Sequence, residues 1–541
     1  MHDQPRIKQK ESDEARKARE DDERKKGELY QALMVDYHAK KYTVDALQKN
    51  RKLLLEIPEA YTFYNYEREI LEHLFKNASE EKGENVSGVG ENKGPLEWLR
   101  EDFKLNSAIL QKDYKIYAAF VHRHWIFDCL ASFAAKEEAP TSNKENASST
   151  RAEDKGGLPY LTFTVKAIEK EMEECEKLLL LDERNFHAWN HRRWVFSIRQ
   201  RPHRILFSPL KVDSSSDGEE SSLELFSSSE AAEIDYTKAM ICRNFSNYSA
   251  WHERAVTLQV ALCRHDRSGL LSPPIFSSAM ANNGDRNGSS ALPRRPSWLP
   301  LSTPSGDQAK PASSASSRGL SRHLLVHLVQ ELDLLLQAIY CDPNDQAVWF
   351  YTPFVREVFE LYEPFLHDAF LEVHAELVNY PNLNSSAAWG LLRTCRGDFL
   401  DVLVRVAIDI LIEEKSLGED TCFLPYHFLL SNFARLLKKA QSEKKELPIA
   451  ARASSLKLRS YITQTLKRIF NNNDEVDDGK NDSNNDYYFT QNNEKDGEEL
   501  DIEVSWCFER LHELLVRVDP LRKGMYDDLL SVASIWKTNT E

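Results

Sequence analysis

The sequence has little from which to build a sheet: no hairpin turn separates alternating β-branched runs, so an all-α fold is expected. Its 8 cysteines include no Cys-x-x-Cys pair, and most lie within helical apolar patterns. That leaves no zinc ribbon and no disulfide framework, and it predicts reduced, buried thiols. No stretch approaches the ~18 apolar residues of a membrane span. The charged N-terminus does not read as a signal peptide, so the expected location is the cytoplasm. No basic face or recognition motif stands out, which argues against nucleic acid as a partner. The formal charge is −16, but half of it sits in residues 471–499, with ten acids against two lysines. The acidity therefore says little about the folded surface.

What is present is a repeated segment. Leu181–Phe196, LDERNFHAWNHRRWVF, has the form acid-x-x-aromatic-x-x-Trp-x-x-Arg. Ile241–Arg254 repeats it, with Trp251 and Arg254 in the places of Trp189 and Arg192. Asp113–Trp125 carries Phe120 for the Trp and keeps Arg123. Pro58–Arg68 carries Tyr64 for the Trp. Asp342–Phe354 keeps Trp349 but has Thr352 and Pro353 after it. A weaker sixth copy lies at Val378–Arg393, around Trp389.

The first five anchors are 56, 69, 62 and 98 residues apart. Removing the polar stretches 77–94, 134–158, 202–230 and 266–320 leaves 38, 44, 33 and 43. Those intervals match one helix–turn–helix repeat of roughly 34–47 residues. The chain thus reads as an α-α superhelix, a solenoid of helical hairpins over 29–470, with insertions in solvent-facing loops. The inserts are too poor in apolar residues to order themselves. The rest divides into a charged arm or helix at 1–28, an acidic disordered insert at 471–499, and closing helices at 500–541. Leu324, Leu325, Leu328, Leu332, Leu335, Leu336 and Ile339 give the cleanest amphipathic helix. Leu511, Leu514, Leu515 and Val518 mark the expected last helix, ended by Asp519–Pro520. Each anchor indole is expected to fill the gap between stacked helix pairs, and each motif Arg to satisfy carbonyls of the next turn.

The repeated N-(aromatic)-x-x-x-W-x-x-R segments resemble the repeat of protein prenyltransferase α subunits. NFSNYSAWHER at 244–254, DPNDQAVWFY at 342–351, VDPLRKGMYDDL at 518–529 and the Met1-His2 start look most like the branch that modifies Rab GTPases. No residues are left over for the leucine-rich or immunoglobulin-like additions of some relatives. The resemblance implies a crescent of helix pairs around a β subunit. It implies geranylgeranyl transfer from geranylgeranyl diphosphate to C-terminal cysteines of Rab GTPases presented by a Rab escort protein. Zinc is expected in the β subunit and not in this chain. The family's diphosphate-facing residues map to Lys115 and Tyr117 in the second repeat, and to Asn185 and His187 in the third. Lys115 would neutralise the diphosphate, Tyr117 position it and His187 add a donor, while Phe186 stands where a Tyr hydroxyl is common. His2 is a weak candidate for a contact to the partner's zinc. The alternatives are the α subunit shared by farnesyltransferase and type I geranylgeranyltransferase, and a non-catalytic helical scaffold. The 518–529 segment counts against the first alternative. The lack of a Gly/Ala-rich tetratricopeptide consensus counts against the second.

Overall fold

The structure is a computed structural model. It describes residues 12–80, 93–138, 159–199, 224–267, 314–418, 422–444, 450–470 and 497–534. Among the described residues all regular structure is helical. The chain divides into two compact units, Met1–Asp217 and Gly218–Glu541.

In the first unit a long helix, α1 (Asp13–His38), precedes three hairpins. These are α2 (Val44–Glu56) with α3 (Tyr61–Glu80), α4 (Pro95–Lys112) with α5 (Tyr117–Glu138), and α6 (Pro159–Leu181) with α7 (Phe186–Arg199). The charged stretch up to residue 28 and the first apolar positions after it lie on the one helix α1. Its N-terminus is capped by Ser12, and its exposed surface is laced with i,i+4 pairs such as Arg24–Glu28. Leu33, further along, is its one wholly buried residue.

The second unit continues with α8 (Ser228–Arg243) and α9 (Tyr248–Arg267), then α10 (Ser314–Cys341) and α11 (Gln346–Leu361). It closes with α12 (Glu363–Ala375), short α13 (Pro381–Asn384), α14 (Ala387–Thr394), α15 (Phe399–Ser416), α16 (Phe423–Lys444), α17 (Ala450–Phe470), α18 (Gly497–Val518) and α19 (Lys523–Ser534). α10 carries the seven apolar positions read from the sequence, all of them buried. Contrary to expectation, Arg318–Cys341 is long and apolar enough to cross a membrane, but 67% of that window is buried inside the protein. It packs against α11, α12 and α14 as a core helix.

The motif is the turn between the two helices of a hairpin plus the first turn of the second helix. The four-residue links are 57–60, 113–116, 182–185, 244–247 and 342–345. Four of them share one device: Asp182, Asn244 and Asp342 each accept the backbone N–H two residues on. Asp113 does the same for Lys115. The indole N–H then closes the turn. Trp189, Trp251 and Trp349 donate to the carbonyls of Glu183, Phe245 and Pro343 at 2.8, 2.7 and 2.8 Å. Phe120 has no donor for this bond, and the Tyr64 hydroxyl is buried without a partner. Trp389 in the sixth copy is likewise buried, but its indole N–H has no partner.

The motif arginines bind mainly carboxylates, not the carbonyls expected. Arg123 is bidentate to Glu171 on α6, and Arg254 is bidentate to Glu331 on α10. All four side chains are at least 97% buried. A charge that deep requires a partner, and the planar fork matches the carboxylate. Arg254 also donates to the Ile234 carbonyl at 2.6 Å, which keeps part of the expectation. Arg192 is more weakly tied, at 3.5 Å to the Met172 carbonyl.

Several boundaries differ from the sequence reading. α3 and α5 run on through 77–80 and 134–138. Residues 224–230 are ordered, with Leu225 buried and Ser227 and Glu230 forming a capping box at the start of α8. α10 begins at Ser314, inside the expected insert, and Leu320 is buried. The rest of the inserts, with most of the acidic run, lies outside the described residues. α18 is not the last helix. Asp519 accepts from Tyr526 at 2.7 Å and starts the bend into α19, because that bond draws the tail back onto the bundle. None of the 8 cysteines is in a disulfide; five are buried, Cys129 is half-buried, and Cys242 and Cys341 are exposed, against the expectation. Burial pushes the Cys129 and Cys507 thiols up to about 12.

Candidate functional site

Where the second and third hairpins of the first unit meet, their turns lie side by side. Asn185, the residue before α7, joins them. Its side-chain oxygen caps the helix by accepting from the His187 and Ala188 N–H groups, and its amide donates to the Tyr114 carbonyl at 2.7 Å. Asn185 is 4% exposed. Its oxygen and its amide are both engaged at the joint, where it holds the two turns together.

Of the other three sequence-derived residues, Tyr117 and His187 meet, and Lys115 stands two residues before Tyr117 at the same joint. Lys115 is carried on the 113–116 turn, with its backbone fixed by Asp113, and its side chain is 48% exposed. Tyr117 begins α5 and is 60% exposed. His187 sits in the first turn of α7, with its ring 5.3 Å from Tyr117 and 6.1 Å from Phe120, nearly parallel to the latter. Phe186 lies 4.0 Å from the same imidazole and is 60% exposed. One ammonium, one phenol and one imidazole thus share an edge, with Phe120 behind them and Phe186 beside. All three lie in the first turn of a helix or in the link before it, where the helix dipole already favours an anion.

The charges at this edge are partly paired. Lys115 Nζ donates to Asp182 Oδ2 at 2.8 Å, across the joint. The hydrogen bond to Asp182 raises the Lys115 pKa, so the ammonium is the settled form. Burial works to raise the Asp182 pKa, but the bonds from Lys115 and the Arg184 N–H outweigh it and the carboxyl is lowered. Burial lowers the His187 pKa, so at neutral pH the ring is an uncharged imidazole with one N–H to donate.

Behind this edge runs a buried chain that the sequence reading did not find. Glu171 accepts from Arg123 and from His191 at 2.6 Å, and His191 meets His124 at 2.9 Å, with Trp194 stacked on His124 at 4.1 Å. Burial opposes ionisation of Glu171, yet Arg123 and His191 bring its pKa down to about 2. Burial, aided by His191, lowers that of His124 to about 4. The missed partners do have a sequence signal. Asp102, Glu171, Glu233 and Glu331 stand at the same offset ahead of the anchors Phe120, Trp189, Trp251 and Trp349.

Among the described residues no group of three or more His, Cys, Asp or Glu side chains is placed to hold a metal ion. His2 lies outside the described residues.

The model of the protein prenyltransferase alpha subunit repeat matches residues 168–199 and 231–260, which contain α7 and most of α9 with their anchors. Curated relatives bear the name geranylgeranyl transferase type-2 subunit alpha. The Homo sapiens protein is 25% identical over 350 residues, covering 64% of this chain and 40% of its own length. The Candida albicans protein is 26% identical over 216 residues, covering 39% and 43%. An Arabidopsis thaliana relative, subunit alpha 2, is 27% identical over 229 residues, covering 42% and 25%. The chain thus spans about 40% of the length of the human relative. A solved Candida albicans protein geranylgeranyltransferase-I complexed with GGPP overlaps at a TM-score of 0.32 and 15% identity, covering 75% of this chain and 85% of that one. That overlap is too loose to carry an argument. The matched repeats, the named relatives and the anchor-and-turn geometry agree: residues 168–199 and 231–260 carry the protein prenyltransferase alpha subunit repeat, and the chain is similar to the type-2 alpha subunits.

Proposed function

We propose that this chain is the α subunit of a type II protein geranylgeranyltransferase, active only together with a β subunit. The reaction is S-alkylation: a cysteine sulfur at the C-terminus of a Rab GTPase, presented by an escort protein, bonds to C1 of geranylgeranyl diphosphate. The C1–O bond breaks, and diphosphate leaves with the electron pair. The type II assignment follows the names of the relatives, and the location of the work follows the cytoplasmic expectation. The observation that carries the chemistry is the meeting of Lys115, Tyr117 and His187 on one exposed edge from two different hairpins.

Charge develops on the diphosphate oxygens as the C–O bond lengthens, and fixed donors aimed there lower the barrier. Lys115 supplies a full positive charge. The Tyr117 hydroxyl and one His187 N–H supply neutral hydrogen bonds that orient the leaving group. Phe120 and Phe186 limit water around the imidazole. None of these groups has to move a proton. The zinc this reading expects is assigned to the β subunit by the family resemblance, and no step above runs through it.

The test is reconstitution. The chain alone should show no prenyl transfer. Co-expressed with a Rab-type β subunit, it should modify a Rab–escort complex and leave a CaaX peptide untouched. Transfer by the chain alone, or a preference for the CaaX peptide, would overturn the reading.

A further inference from the structure

The carboxylate beside Lys115 does more than the turn requires. Asp182 Oδ1 accepts the Arg184 N–H at 3.1 Å, which is the ordinary duty of this turn position. In the fourth repeat Asn244 performs that duty uncharged, accepting the Ser246 N–H at 3.0 Å. In the fifth, Asp342 performs it with no cation paired to it among the described residues. A negative charge at position 182 is thus not needed to fold the turn. Its second oxygen reaches across the joint to Lys115 Nζ at 2.8 Å. With its first oxygen anchored to the backbone of the third repeat, the carboxylate cannot swing away.

Resting on the reading that Lys115 meets the lipid diphosphate, we propose that Asp182 is a positioning residue acting as a resident counter-anion. It holds the Lys115 ammonium at the edge when the site is empty, and it competes for that ammonium when diphosphate is bound, which speeds departure of the inorganic diphosphate product. An anion arriving at Lys115 must share the ammonium with a fixed carboxylate. It also feels the repulsion of that carboxylate at close range. The pair is partly exposed, at 48% and 21%, so water and salt moderate the competition. The expected effect on diphosphate affinity is about two- to fivefold.

The experiment uses the full chain in complex with its β subunit, with inorganic diphosphate as the probe and product inhibition as the readout. Asp182→Asn keeps the turn acceptor, as Asn244 shows, and removes the charge. Inhibition should tighten about two- to fivefold, more at low salt than at high, with an unchanged melting temperature. Asp182→Glu, which keeps the charge, should inhibit like the parent. In a Lys115→Ala background the Asp182→Asn effect should shrink to the direct repulsion alone, because no ammonium remains to compete for; an undiminished effect would overturn the counter-anion role. Two failures are distinguishable. If Lys115→Ala weakens diphosphate binding but Asp182→Asn leaves it unchanged or weaker, the counter-anion idea falls and the site stands. If Lys115→Ala has no effect, both fall together.

Discussion

Two joints, one in each unit, are built on the same plan and present different chemistry. In the first unit the residue five before the anchor Phe120 is Lys115, which reaches the next repeat's Asp182. In the second unit the residue five before Trp251 is Ser246, which reaches the next repeat's Asp345. Both joints bury a motif Arg against a Glu of the following repeat, Arg123 with Glu171 and Arg254 with Glu331. Both carry exposed aromatics at the rim, Tyr117 with Phe186 and Tyr248 with Phe350. Only the first places an imidazole there. His187 occupies a position taken in the fifth repeat by buried Ala347. The repeat fixes where side chains stand. A few substitutions at its rim decide whether a joint can meet an anion.

The largest expected effect breaks what the joints share. Glu171→Ala leaves Arg123 buried and unpaired, and should cost about 3–5 kcal/mol of stability. Glu331→Ala should cost as much in the second unit. Chemical denaturation of the two variants checks both. A loss under about 1 kcal/mol in either would mean that the buried pair is not what holds its joint.

Next comes what the joints do not share. In the reconstituted complex Lys115→Ala should slow the single-turnover chemical step by one to three orders of magnitude, about 1.4–4 kcal/mol. Lys112→Ala, which loses only a donor to the Leu55 carbonyl, should leave that step unchanged. Equal rates for both variants would move the diphosphate site wholly to the β subunit.

A pH comparison sharpens the view of the buried carboxylates inside the first unit. Glu171 has a folded pKa lowered to about 2 from 4.5, so its stabilisation is complete above about 4.5 and is lost as pH falls toward 2. Glu67 shows the reverse. Burial and the neighbouring Asp102 raise its pKa despite Arg51, so folding is favoured while it keeps its proton. Stability is then lost as pH rises from 4.5 through the raised folded value. Glu67→Gln should flatten the alkaline limb of the stability curve and leave the acid limb, which Glu171→Gln should alter. An unchanged alkaline limb in Glu67→Gln would show that Glu67 is ionised throughout.

Much of this was readable before the structure. Five bulky anchors at one helix–turn–helix interval determine the hairpins, because a large buried ring at each joint leaves little choice of register. Lys115, Tyr117 and His187 were singled out by the resemblance, which maps the family's diphosphate-facing residues onto the positions just ahead of the anchors. The buried glutamates are harder to see: Glu171 lies in EKEMEECEK, among acids and lysines as on any solvated helix face, and only the offset it shares with Asp102, Glu233 and Glu331 ahead of the anchors sets it apart. Asn185 shows a related ambiguity. A polar residue beside the anchor can meet a ligand or cap a helix, and that choice depends on the Tyr114 carbonyl of another hairpin. Helix ends were the least legible, as at Asp519, where a long-reaching Tyr526 bond sets the bend.

The smallest expected effect tests whether a cation at the joint is enough. Ser246→Lys installs the missing ammonium in the second unit, at the register position of Lys115. The residue is exposed and its neighbour Asp345 can accept from the new side chain as it accepts from the hydroxyl, so stability should change by no more than about 0.5 kcal/mol. The new Lys would face a carboxylate, as Lys115 does. It would lack a His187 equivalent, because Ala347 has nothing to donate, and the rings within reach are Tyr248 and Phe350, 6.1 Å apart. One screened charge beside a fixed carboxylate holds a diphosphate poorly in water. The expected outcome in a Ser246→Lys complex is therefore one diphosphate per complex by titration calorimetry, with an unchanged transfer rate. A second diphosphate bound with comparable affinity would show that the ammonium alone makes the site. Tyr117 and His187 would then be bystanders at the edge.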